Sequence, residues 1–116
     1  MAGVQLPNVE NSIIEPAKIR NYLLSRSHPT GMYKASFFES LGYTETDWHR
    51  LADDLRSIGV QNDARYDGHN GYGRMYTVDG NLVGPTGRRS VVKTVWIVPD
   101  NDDRPRLVTA YPGDNE

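Results

Sequence analysis

The segment that decides the fold is Ser90-Val91-Val92-Lys93-Thr94-Val95-Trp96-Ile97-Val98. It is the strongest strand signal in the chain. As a strand, it directs Val92, Thr94, Trp96 and Val98 to one face, and Val91, Lys93, Val95 and Ile97 to the other. The bulky Trp96 is expected in the core and not as a platform for a nucleobase.

The polar loop Pro99–Asp103 follows this strand and leads into Arg106–Tyr111, which also reads as a strand. Such a short loop predicts an antiparallel hairpin. Alternation places Leu107 on the same face as Thr109 and Tyr111.

On the amino-terminal side, Met75–Val78 alternates after a Gly-rich approach. Asp79-Gly80 and Pro85-Thr86-Gly87 both read as turns, because Gly and Pro favour the backbone angles that turns need. These signals predict an antiparallel meander of three or four strands.

The first half of the chain has helical periodicity instead. A first helix begins at Pro16, a residue suited to the first helical position, and ends near Ser25, with Ile19, Tyr22 and Leu23 on one apolar stripe. A second helix is predicted over about Met32–Leu41, with Gly42 as its left-handed cap.

A third helix begins after Thr44, where Asp47 approximates a capping box, and ends at Gly59. The order of elements predicts an α+β fold, with two or three N-terminal helices packed on one face of the antiparallel sheet. We expect one globular domain over residues 6–112, with flexible tails at residues 1–5 and 113–116.

Composition narrows the class of protein. The 116 residues include no Cys, which excludes disulfides and thiolate chemistry, and no apolar run approaches the ~18–20 residues of a transmembrane helix. Met1–Pro7 lacks the basic residues and the apolar run that make up a secretory signal, so a cytoplasmic protein without membrane contact is expected.

The net charge is −2, yet residues 65–93 hold five basic and two acidic side chains. This stretch suits contact with phosphate, or else a sheet edge protected by charge.

No metal or cofactor site is visible. His28, His49 and His69 lie 21 and 20 residues apart, without the spacing of metal ligands. Gly71-Tyr72-Gly73 lacks the strand and helix that flank a phosphate-binding loop. His49 is expected to face solvent, and His69 to lie in a mobile loop.

Two groups of residues are candidates for chemistry. His28 precedes a helix and is followed by Lys34, a placement that suits a general base and a phosphate-binding cation. The alternative is a solvated loop histidine and a surface lysine. Thr109 and Tyr111 offer hydroxyls on the last strand for the same phosphate, with the basic residues Arg74, Arg89 and Lys93 as substrate-binding candidates. The alternative is strand propensity alone.

Three segments together resemble a family of small uncharacterised bacterial domains that occur free-standing and at the carboxyl ends of polymorphic toxins. These segments are Leu6-Pro7-Asn8, the span from His28-Pro29-Thr30-Gly31-Met32-Tyr33-Lys34-Ala35 to Leu41-Gly42-Tyr43, and Thr94-Val95-Trp96-Ile97 with Arg106–Pro112. The similarity covers about residues 6–112, and it brings no activity with it.

More distantly, the layout is similar to the barnase–EndoU–colicin–RelE group of metal-independent ribonucleases. That resemblance implies that His28 is a base or acid, that Lys34 stabilises the phosphorane, and that Thr109 and Tyr111 contact phosphate. The sequence departs from the group in its acidic net charge, and it shows no carboxylate–histidine pair.

Two functions follow as hypotheses. The first is a metal-independent RNA-cleaving, toxin-like domain with RNA as its partner, in which His28, Lys34, Thr109 and Tyr111 converge in one cleft. The second is a non-catalytic module that binds a cognate protein of a toxin or phage-defence system, for example as an immunity or inhibitor protein. It predicts scattered positions for these residues and an exposed apolar patch or free sheet edge. A plain structural role for all four residues is a third reading.

Overall fold

The strand predicted from Ser90–Val98 lies inside a four-stranded antiparallel meander. In the computed structural model, which describes residues 5–24 and 32–113, the strands follow one another in the order β1-β2-β3-β4. Their bounds are Ala64–His69 (β1), Gly73–Val83 (β2), Arg89–Pro99 (β3) and Arg106–Pro112 (β4). The predicted hairpin of the last two strands is confirmed.

Helices cover one face of this sheet, which confirms the predicted α+β fold. A short helix α1 (Pro16–Lys18) continues as a π-helical turn (Ile19–Leu23), and α2 spans Met32–Ser40. The third helix, α3, spans Trp48–Gln61 and packs on β2 and β3. None of the helices in the described ranges has the length and apolar character needed to cross a bilayer.

The two faces of β3 separate as predicted. Val92, Thr94, Trp96 and Val98 are at most 1% exposed and point towards the helices, whereas the residues that alternate with them are only half-buried. Inside the core the indole Nε1 of Trp96 donates to Oγ1 of Thr94 at 2.8 Å, and this hydroxyl donates to the backbone oxygen of Val78 at 2.8 Å. The prediction of a core Trp96 is therefore confirmed, with its one polar atom satisfied.

The predicted turn at Asp79-Gly80 is wrong, because β2 runs straight through it. Asp79 pairs with Lys93 and Gly80 with Val92 in an unbroken ladder. A Cβ at Gly80 would lie 2.6 Å from Nδ2 of Asn62, the residue that follows α3, so the side chains at the end of this helix approach the strand closely at Gly80. The turn at Pro85-Thr86-Gly87 is confirmed, with Gly87 at a φ of +86°.

The predicted end of α3 at Gly59 is also wrong, since the helix continues to Gln61. A Cβ at Gly59 would lie 2.9 Å from Cγ2 of Val9, in the amino-terminal segment that crosses this helix. Both glycines therefore allow close packing of the chain. In the sequence, such a glycine looks the same as one that forms a turn or caps a helix. The predicted cap at Gly42 is confirmed, because its φ is +103° and only Leu41 separates it from the end of α2.

Candidate functional site

The side chains of Lys34, Tyr22 and Thr109 form a continuous polar chain, which we call the Tyr22 site. Nζ of Lys34 donates to Oη of Tyr22 at 2.6 Å, and the same oxygen lies 3.3 Å from Oγ1 of Thr109. The three residues belong to α2, to the π-helical turn and to β4. The structure thus brings two of the predicted site residues together, through a tyrosine that the sequence analysis placed only on an apolar stripe.

The π-helical turn presents the Tyr22 phenol to β4. Ile19 and Leu23 are fully buried on the same turn, and the backbone N–H of Leu24 closes it on the oxygen of Ile19 at 2.8 Å. Tyr22 packs partly against the core while its hydroxyl points to the sheet edge. Single π-helical turns are rare and occur frequently at functional sites.

Two ammonium groups lie near the Tyr22 ring. Nζ of Lys18 is 5.2 Å and Nζ of Lys34 is 4.9 Å from the ring centroid. Partial burial by itself raises the pKa of Tyr22, but the hydrogen bonds of Lys34 and Thr109 and the charges of both lysines outweigh it, so the net pKa is lowered. Tyr22 is therefore easier to ionise than an ordinary tyrosine.

Tyr43 shows the opposite environment. Its side chain is 1% exposed, and its hydroxyl donates to Oδ2 of Asp54 at 2.6 Å. Burial and the Asp54 carboxylate raise the pKa of Tyr43 far above its usual range, which Arg50 only partly offsets. Of these two tyrosines, Tyr22 is the one whose environment favours proton exchange.

A groove of about 860 Å³ runs from the Tyr22 site along β4. Its apolar wall includes Ile97 and Val108, and Lys18 contributes to its polar lining. At the rim, Nη1 of Arg106 lies 2.7 Å from Oε1 of Glu15, and both side chains are partly exposed. The groove therefore offers apolar surface beside cations, a combination that suits an anionic ligand with a flat apolar part.

A β-bulge in β4 sets which side chains face the Tyr22 site. Thr109 pairs with Val95, but Leu107 pairs with Trp96, so Val108 is an extra residue. Leu107 and Ala110 are consequently both buried, while Thr109 and Tyr111 lie on the other face. The prediction that Leu107 shares their face is wrong because of this bulge.

The remaining predicted site residues are dispersed. Tyr111 lies opposite Lys93, whose Nζ is 3.6 Å from Oδ1 of Asp79. Arg89 begins β3, whereas Arg74 lies opposite Val98 near the other end of that strand, about 30 Å away at the usual rise per residue. Arg74, Arg89 and Lys93 do not form one cluster. His28 lies outside the described residues.

The other two histidines are not close to the Tyr22 site. His49 is exposed as predicted, and its ring stacks on Trp48 at 3.8 Å between centroids. His69 is not in a loop but ends β1, where Nε2 lies 3.0 Å from both carboxylate oxygens of Asp100. A carboxylate–histidine pair is therefore present after all, and it joins the end of β1 to the loop between β3 and β4. In residues 5–24 and 32–113, no three His, Asp or Glu side chains converge as metal ligands.

Comparison with known proteins identifies the family of this chain. Residues 5–114 match the family described as "Domain of unknown function (DUF6883)". The chain belongs to this family. Among curated proteins none is similar enough in sequence to match the chain. The DUF6883 assignment names no activity, so the chemistry has to be argued from the site.

The fold is also similar to that of a solved structure. A chain of the "Contact-dependent growth inhibition toxin - immunity protein complex from Klebsiella pneumoniae 342" superimposes with a TM-score of 0.68. The identity is 18%, and the alignment covers 93% of the DUF6883 chain and 98% of that chain. At this identity the likeness shows the fold. The more distant similarity to the barnase–EndoU–colicin–RelE group is not confirmed by these matches and stays a hypothesis.

Proposed function

We propose that this chain is a metal-independent RNA-cleaving domain of toxin type, acting on cytoplasmic RNA at the Tyr22 site. The observation that carries the proposal is the 2.6 Å hydrogen bond from Lys34 to Tyr22, together with the second contact of Tyr22 to Thr109. This arrangement supplies an acidified phenol, two lysines and a hydroxyl beside a groove, which are the groups that phosphodiester transfer requires.

The proposed reaction uses the ribose 2′-hydroxyl as nucleophile. Tyr22, as phenolate, takes the proton of that hydroxyl while the O2′–P bond forms. The P–O5′ bond then breaks, and a second group gives a proton to the leaving O5′. The products are a 2′,3′-cyclic phosphate and a free 5′-hydroxyl. We assign the second group to His28, which lies six residues from both Tyr22 and Lys34 in sequence.

The cations would act on the phosphorane. Lys34 and Lys18 both lie close to the Tyr22 ring, so an RNA phosphate placed at the phenol oxygen would be near two positive charges. Charge-assisted contacts of this kind favour the transition state, in which negative charge on the phosphoryl oxygens is greatest. Thr109 would add a hydroxyl contact, and Tyr111 with Lys93 would hold the chain further along the sheet.

The test is a cleavage assay with total tRNA and a short single-stranded RNA, in the presence of EDTA. We expect cleavage that EDTA leaves unchanged, cyclic phosphate ends, and resistance of an oligonucleotide with a 2′-deoxy group at the cleaved position. His28→Ala and Lys34→Ala are each expected to lower the rate by ~100-fold or more, the scale for loss of an acid–base group or its activator. Lack of cleavage at micromolar protein would overturn the proposal.

A second candidate is binding of a cognate protein without catalysis. Two observations favour it: Tyr66 and Tyr72 are 52% and 79% exposed, and the structurally similar chain comes from a toxin–immunity complex. Exposed tyrosines are frequent at protein interfaces. This candidate predicts that Lys34→Ala has no effect on the biological activity, whereas Tyr66→Ala with Tyr72→Ala abolishes capture of the partner.

A further inference from the structure

The outer strand β1 (Ala64–His69) has an unpaired edge. Within the described part of the chain it pairs with β2 alone, so one row of its backbone N–H and C=O groups has no strand partner. Such an edge is a template for pairing with another strand, and natural proteins usually cover or disrupt it. The register with β2 shifts between Tyr66 and His69, so the ladder is regular over Ala64–Tyr66 and Asp67 is the first residue of a bulge.

The sequence of this edge is complementary to itself. If two copies of β1 pair in antiparallel fashion about a twofold axis at Tyr66, Arg65 of each copy lies opposite Asp67 of the other. Residues directly opposite in an antiparallel pair have side chains on the same face, within reach of an ion pair. The two Tyr66 rings then meet at the axis, so the arrangement contains two opposite-charge pairs and one aromatic pair.

The surroundings of these residues support an intermolecular role. Arg65, Tyr66 and Asp67 are all exposed. In the described part of the chain neither Arg65 nor Asp67 has an ion-pair partner, in contrast to Lys93 with Asp79 on the neighbouring strands. The Tyr66 ring is already held edge-on against Tyr76, with 5.5 Å between centroids, which lowers the entropy lost on binding.

In the described part of the chain, no segment other than β2 pairs with β1. At the far side of the sheet, in contrast, the backbone of Leu107 in β4 donates to the oxygen of Ile13 at 3.0 Å, so the amino-terminal segment partly covers that edge. Of the two outer strands, β1 is therefore the more open.

We propose that two copies of this chain associate through antiparallel pairing of their β1 strands, centred on Tyr66, to form a continuous eight-stranded sheet. The interface is small, because the bulge limits it to a few residues on each side of the axis. Small interfaces of this kind are typical of weak, concentration-dependent complexes. The Tyr22 site contacts β4 at the opposite edge, so dimerisation is independent of the proposed RNA cleavage and leaves that site accessible.

The test is sedimentation equilibrium of the full chain, at loading concentrations from ~5 μM to ~1 mM, a range that brackets weak association. We expect a monomer–dimer equilibrium for the wild type. Arg65→Asp and Asp67→Arg each place like charges opposite one another at two points, so each is expected to weaken the dimer by at least ~10-fold. The double variant R65D/D67R exchanges the partners of both pairs and is expected to restore the wild-type constant to within about threefold.

Arg50→Asp is the matched control, because it reverses an exposed charge on α3, away from β1. It is expected to leave the dimerisation constant unchanged, and circular dichroism checks that all variants are folded. A wild type that stays monomeric at ~1 mM overturns the proposal. So does a dimer that persists in both single variants, or a double variant as weak as the single ones.

Discussion

The ammonium nitrogen of Lys34 lies 2.6 Å from the phenol oxygen of Tyr22. This contact joins the start of α2 to the π-helical turn, and the phenol continues it to Thr109 on β4. An ammonium at this distance favours phenolate over phenol, and it stays close to any anion that approaches the oxygen. The contact therefore places a tyrosine of lowered pKa and a positive charge side by side.

Tyr22 is predicted to ionise at a lower pH than an ordinary tyrosine. Because Lys34 stabilises the phenolate, the wild type should show a phase of phenolate absorbance, followed at 295 nm, that begins below the ordinary tyrosine pKa of about 10. Tyr22→Phe should remove this first phase, and Lys34→Met should move it to higher pH. Tyr72→Phe, at an exposed position far from Lys34 in sequence, is the control and should leave this first phase in place. An unchanged first phase in Tyr22→Phe would show that Tyr22 is not acidified.

Tyr43 is predicted to stabilise the fold through Asp54. Tyr43→Phe removes a hydrogen bond to a carboxylate, worth about 1.5–3 kcal/mol, and urea unfolding at pH 7 should show a loss of this size. Because folding raises the pKa of Tyr43, the contribution of this hydrogen bond to stability is fully present below the unfolded pKa near 10. It is lost as the pH rises further. The difference between wild type and variant should therefore shrink above about pH 10. A difference that grows above this pH would contradict the assignment.

Thr94 is predicted to be essential for burying Trp96. Thr94→Val preserves the shape of the side chain but removes the acceptor for the indole N–H, which is then buried without a partner. The expected loss of unfolding free energy is about 1–3 kcal/mol. Thr109→Val is the control, because it makes the same substitution at a half-buried position. It should lower the free energy of unfolding by less than about 1 kcal/mol. Equal losses in the two variants would argue against a special role for the buried hydrogen bond.

Gly80→Ala is predicted to destabilise the fold, although Gly80 lies inside a strand. The new Cβ would lie 2.6 Å from Nδ2 of Asn62 and 2.9 Å from Cγ2 of Ile58, so both side chains would have to shift, together with the hydrogen bond from Asn62 to the backbone oxygen of Ile58. The expected cost is about 1–3 kcal/mol in chemical denaturation. Asn81→Ala, at the exposed neighbouring position, should change stability by less than about 0.5 kcal/mol. A neutral Gly80→Ala would mean that α3 approaches β2 less closely than described.

The fold was largely predictable from local patterns, and the errors of prediction have two causes. The assignment of Ser90–Val98 as a strand predicted both faces of β3 correctly, because successive side chains of a strand point to opposite faces. Gly59 and Gly80 were misread, since a glycine that allows close packing and a glycine that makes a turn are identical in sequence. The face of Leu107 was misread because a single extra residue, Val108, reverses the alternation.

The site was predictable only in part. Lys18 and Tyr22 are four residues apart, a spacing that places them together on a helix, so their contact had a sequence signal. The contacts of Tyr22 with Lys34 and Thr109 had none, because they depend on how α2 and β4 pack around the π-helical turn. Thr109 and Lys34 were selected as candidates from the sequence, but Tyr22, which connects them, could be identified only from the tertiary structure.

The measurement that tests the central claim most directly compares the rate of tRNA cleavage by wild type, Tyr22→Phe and Tyr72→Phe, with enzyme in excess and EDTA present. Tyr22→Phe retains the ring and removes the hydroxyl oxygen, so its rate should fall by ~100-fold or more, while Tyr72→Phe should cleave at the wild-type rate. Equal rates in wild type and Tyr22→Phe would contradict the assignment of Tyr22 as the proton-exchanging group.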